Sequence, residues 1–75
     1  MTEQFRHAAT AHILSLFRYE HLPERLQVVS KPFSDLAHAM ADSLGDGPEL
    51  TVGLRKLVEA KDAIVRHAVL TWEQP

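Results

Sequence analysis

Met40-Ala41-Asp42-Ser43-Leu44-Gly45-Asp46-Gly47-Pro48-Glu49-Leu50 is the stretch that decides the fold. Gly45 can take the left-handed backbone that closes a helix, and Pro48 pre-sets the first turn of the next one. Between two apolar-periodic segments, such a four-residue link predicts a tight helical hairpin. Upstream of it, Leu26, Val29, Phe33, Leu36, Met40 and Leu44 keep one helical face from Glu24 to the turn. Pro32 lies inside this segment, removing a backbone donor and crowding the preceding turn. Because the stripe keeps its phase across Pro32, the spacing predicts one helix over 24–44, bent near Pro32, rather than a restart with Ser30 as a local cap.

Downstream, the pattern predicts a helix over 48–72 with two stripes. Leu50, Leu54, Leu57, Ile64 and Ala68 form one; Val58, Val65, Val69 and Trp72 form the other, rotated by roughly 100°. One partner helix cannot cover both. Toward the N-terminus, Phe5, Ala8, Ala9, His12, Ile13, Leu16 and Phe17 recur at three- and four-residue spacing, a shorter amphipathic helix over 2–17 with Thr2 as its N-cap. Pro23 then suits the first position of the hairpin's first helix, so the chain turns at 18–23. The fold class expected is all-α: a short N-terminal helix plus a hairpin of two longer ones, a single domain over 1–75.

A chain of 75 residues is small, burying only roughly 60% of the surface its unfolded form exposes. Domains of this size usually gain stability from disulfides, metals or oligomerisation. There is no cysteine, and His7, His12, His21, His38 and His67 are scattered, with no i, i+4 pair of the kind a helical zinc site uses. Self-association is the remaining route, and the second stripe of the last helix is the surface expected to carry it; the alternative is that the first helix folds back over that stripe.

Ten acidic residues oppose eight basic ones, and the signs are interspersed. A DNA or RNA polymer is therefore not expected as a partner, since its affinity rests on a concentrated basic surface. No apolar run approaches the ~20 residues of a membrane span, and the first residues lack a basic start and an apolar signal core. A cytoplasmic location without membrane partners is the expectation. No phosphate-binding glycine loop, serine elbow or carboxylate pair set among apolar residues is present, so no enzyme and no cofactor is expected. Arg55, Glu59, Asp62 and Arg66 at four-residue spacing describe a charge-paired, solvated face.

Three polar residues stand out. Lys61 falls on the main apolar stripe between Leu57 and Ile64, where its stem can pack while the ammonium reaches water. Tyr19, in the interhelical turn, offers a ring for stacking and a hydroxyl; Lys31, next to Pro32, offers a mobile charge for phosphate.

The run Glu49-Leu50-Thr51-Val52-Gly53-Leu54-Arg55-Lys56-Leu57-Val58-Glu59-Ala60 resembles the hairpin domain of the phage sponge proteins of the anti-CBASS and anti-Thoeris group, whose last helix carries Lys-Leu-x-Glu-Ala at its centre. Phe17-Arg18-Tyr19 and Leu36-Ala37 look like that family's Phe-x-Tyr and Leu-Ala positions, so the likeness spans about residues 17–68. The chain departs from the family at Leu50, where Arg is frequent, and at Lys61-Asp62-Ala63, where an aromatic follows the Glu-Ala. The resemblance implies a non-enzymatic homo-oligomer, hexameric in the family, that sequesters a cyclic dinucleotide immune messenger in the bacterial host cytoplasm. Tyr19 would stack on a base and Lys31 would meet a phosphate. The competing expectation is a protein-interaction module or small phage regulator that docks through its apolar stripe.

Overall fold

A computed structural model describes residues 7–72. They form three helices: α1 (Ala8–Ser15), α2 (Glu24–Leu44) and α3 (Pro48–Trp72). Helices α2 and α3 make the hairpin, and α1 lies against both. The turn behaves as its residues require. Gly45 has φ +79°, and its N–H donates to the Ala41 carbonyl at 3.1 Å. Its ψ of 172° places it in the mirror-extended region rather than the left-handed helical one; glycine enters both, and the mirror-extended region is essentially glycine's alone. Pro48 begins α3, and the Gly47 carbonyl accepts from the Thr51 N–H at 3.1 Å and its hydroxyl at 3.2 Å.

Helix α1 is shorter than its apolar spacing suggests. His7 has φ −56° and ψ 143°, which is not helical, and its Nδ1 accepts from the Ala9 N–H at 3.1 Å. The His7 N–H in turn donates to Asp46 Oδ2 at 2.7 Å, tying the start of α1 to the hairpin turn. A helix running unbroken from Thr2 through His7 is therefore excluded; Thr2 as a cap, and Phe5, lie outside the described residues. At the other end, the Leu16 and Phe17 N–H groups bond to Ile13 and Leu14, three residues back. This tightening ends the helix before Phe17.

Helix α2 runs through Pro32 without interruption, as the stripe's phase requires. Ser30 is interior to it and caps nothing. The donor missing at Pro32 would have served the Val28 carbonyl, and Val28 is exposed, so water can take the donor's place.

The core corrects the reading of which α2 face points inward. Buried on α2 are Ser30, Ser34, Ala37 and Ala41, a row of small residues at four- and three-residue spacing. Against this row α1 sets Ile13 and Leu14, the turn after it sets Phe17, and α3 sets Leu54. Small side chains let α1 approach closely and give the Phe17 ring room for complete burial. The large apolar stripe lies to one side: Phe33 packs on the core edge, whereas Leu36 (47%), Met40 (39%) and Leu44 (71%) stay exposed. Periodicity locates an amphipathic face but does not say which of two adjacent rows a third helix will choose.

On α3, Leu50, Leu57 and Val58 pack against the core, and Val65 and Val69 are half-buried. Arg25 stacks 3.9 Å from the Trp72 ring centroid, joining the start of α2 to the end of α3. The second stripe is thus partly covered within the chain, and the open apolar row lies on α2. None of the described helices is long and apolar enough to cross a membrane.

Candidate functional site

The link between α1 and α2 carries Tyr19. The Leu22 N–H donates to the Tyr19 carbonyl at 2.9 Å, making a tight turn that Pro23 follows into α2. Gln27, one turn into that helix, reaches back: its Nε2 donates to the Leu22 carbonyl at 2.8 Å and the Glu20 carbonyl at 3.3 Å. Two side-chain bonds to loop carbonyls fix the loop on α2, and so fix where Tyr19 sits relative to that helix. Tyr19 is half-buried.

Lys31 is exposed on α2, its Nζ 2.8 Å from Asp35 Oδ2. The hydrogen bond and then the charge of Asp35 raise its pKa above the ordinary 10.5, and the negative charge of the Tyr19 phenolate adds a smaller push in the same direction. That electrostatic influence requires proximity. The two residues singled out in the sequence are therefore within electrostatic reach of each other, Lys31 exposed and Tyr19 half-buried.

Between the α1–α2 loop and α3 lies a cavity of about 650 Å³. Arg18 and His21 from the loop, Ser30 from α2, and Lys61, Asp62 and Arg66 from α3 supply its polar lining. Leu16, Leu22 and Val65 supply apolar wall. Lys61 is held: its Nζ donates to the Leu16 carbonyl at 3.0 Å and pairs with Asp62 Oδ1 at 2.8 Å. Its ammonium does not simply reach water; it sits where the carbonyls of α1 end and favour a cation. Asp62 turns to Lys61 instead of Arg66, so the charge-paired face expected on α3 is not made there. Arg18 and Arg66 are exposed and have no ion pair among the described residues. The Ser30 hydroxyl is buried and without a hydrogen-bond partner among the described residues.

Sequence reasoning did not single out Arg18, Ser30 or Arg66. Arg18 adjoins Tyr19 and Ser30 adjoins Lys31, but only the folding of α1 and its loop across the hairpin brings them to Arg66. Tyr19 and Lys31 are not part of this cavity's lining. At the hairpin turn, Leu36, Met40, Leu44, Leu50 and Leu57 border a second, mainly apolar groove of about 640 Å³. The described residues hold no group of three or more His, Asp or Glu side chains placed to share a metal ion. Comparisons with protein families, with curated proteins and with solved structures found no match to this chain.

Proposed function

We propose that this protein is a non-enzymatic sponge for cyclic dinucleotides, a homo-oligomer of the phage anti-defence kind that withholds an immune messenger in the cytoplasm of a bacterial host. The observation that supports the reading is that Tyr19, on a loop tied to α2 by Gln27, lies within electrostatic reach of Lys31 on that helix. A cyclic dinucleotide offers two π-faces and two phosphates. An aromatic ring supplies sequence-tolerant stacking, and the Lys31 ammonium becomes available once phosphate displaces Asp35 from it, an exposed i, i+4 pair of the weak surface kind. The loop carbonyls held by Gln27 reduce the ordering that binding requires. The resemblance of residues 17–68 to the sponge family supports the same two residues.

Calorimetric titration with a panel of cyclic di- and trinucleotides tests the reading, followed by heating the complex and recovering the ligand. Binding of a dinucleotide that returns chemically intact is expected. Tyr19→Ala is expected to weaken it by ~1–3 kcal/mol, and Lys31→Ala to weaken it with a shallower salt dependence. Unchanged affinity in both variants removes the site assignment, and linear product that scales with protein concentration removes the sponge. A second reading, a docking module, is favoured by the exposed Leu36, Met40 and Leu44; it requires a parent protein that binds no cyclic nucleotide.

A further inference from the structure

The cavity between the α1–α2 loop and α3 concentrates positive charge in a chain whose net charge is −2. Arg18, Lys61 and Arg66 stand against one carboxylate, Asp62, and that carboxylate is taken by Lys61. What remains are two guanidinium groups without acidic partners among the described residues, one on the loop and one on α3. Guanidinium presents forked donors that match phosphate oxygens, and arginines held on two separate elements can grip one phosphate from two sides.

Ser30 is the independent second observation. It is 1% exposed, and its Oγ has no hydrogen-bond partner among the described residues. A buried hydroxyl left unpaired costs free energy unless something else bonds to it. Ser30 lines this cavity, so a polar group entering there can supply the missing bond.

Size and wall chemistry define the ligand class further. An inorganic phosphate ion would leave most of about 650 Å³ unused, a volume in the range of small-molecule sites. Leu16, Leu22 and Val65 give the site an apolar wall suited to a flat or apolar body. We infer that this cavity is a second binding site, for a phosphomonoester of mononucleotide size. Its phosphate is held by Arg18 and Arg66, its body lies on the Leu16, Leu22 and Val65 wall, and one polar group of it bonds to Ser30. Lys61 belongs to the fold here, since its ammonium is committed to the Leu16 carbonyl and to Asp62. The site goes beyond the sponge reading and does not depend on it, because neither Tyr19 nor Lys31 lines it.

Titration with 5′-AMP, adenosine and inorganic phosphate tests the inference. AMP is expected to bind, with inorganic phosphate weaker and adenosine weaker still. Arg18→Ala and Arg66→Ala, both at exposed positions, are each expected to lower AMP affinity roughly tenfold or more. Ser30→Ala is expected to lower AMP affinity while thermal stability holds or rises, because it deletes an unpartnered buried hydroxyl. Tyr19→Ala is expected to leave AMP binding unchanged. No AMP binding at millimolar concentration, or AMP affinity equal to the parent's in both arginine variants, overturns the site. Competition between AMP and a cyclic dinucleotide, with both lost in Arg66→Ala, also overturns it by reducing two sites to one. Loss of cyclic dinucleotide binding alone counts against the sponge reading and leaves this site standing.

Discussion

Gly45 carries a backbone requirement that no other described residue shares, a positive φ in the mirror-extended region. No atom lies within 4 Å of where a Cβ would stand, so substitution meets open space and its cost is purely conformational. Gly45→Ala is therefore expected to lower stability by ~1–3 kcal/mol without altering the core, read by urea denaturation; an unchanged midpoint would mean the turn relaxes freely. Lys31 has the opposite character, its state being set by neighbours and not by backbone. With its pKa raised by Asp35, any stability it contributes is present below its ordinary 10.5 and lost only as pH climbs through the raised value. It stays fully charged at neutral pH, so an affinity loss in Lys31→Ala measures a whole charge and not a titration.

Helix α1 shows what an element's own residues settle and what they leave to the rest of the chain. Its apolar spacing marks it as a helix that docks, and Ile13 and Phe17 do enter the core. Its ends are fixed from a distance: Asp46 takes the His7 N–H, and Lys61, 45 residues away, takes the Leu16 carbonyl. Local propensity contains neither partner, which is why the helix read from spacing alone runs too long and why Lys61 reads as a snorkelling side chain. The hairpin was legible because its turn is built from Gly45 and Pro48, whose effects are local. The inward face of α2 was not, because Ala and Ser rows gain their value only when a third helix needs close approach. The Tyr19 and Lys31 pair could be named from side-chain chemistry, whereas Arg18, Ser30 and Arg66 converge only in the tertiary fold. Lys61→Met isolates the distant cap: it keeps the packed stem and removes the charge. It is expected to cost about 1–2 kcal/mol and to speed hydrogen exchange in α1 more than in α3; equal exchange in both would show that the cation does not hold α1.

At the scale of the molecule, the question is what covers the row Leu36, Met40 and Leu44. These side chains border the groove at the hairpin turn, and Ile64 on α3 is also half exposed, at 47%. A domain this small, without disulfides, gains much from burying such a row against a second copy of itself. The proposed oligomer is therefore expected to use the α2 face, and not the Val58, Val65, Val69 and Trp72 stripe that the sequence pattern alone selects, because Val58 packs on the core, Val65 and Val69 are half-buried and Arg25 stacks on Trp72. Two substitutions separate these alternatives. Met40→Glu would bury an unpaired carboxylate in an α2-face contact; it is expected to reduce the mass seen by light scattering to that of a single chain while leaving helicity intact. Val65→Glu alters the wall of the polar cavity, where its carboxylate can find Arg18 or Arg66, and the assembled mass is expected to persist. If Val65→Glu dissociates the protein and Met40→Glu does not, the stripe on α3 is the contact after all. If the parent chain scatters as a monomer at micromolar concentration, the exposed row serves a different protein, and the docking-module reading gains what the sponge loses.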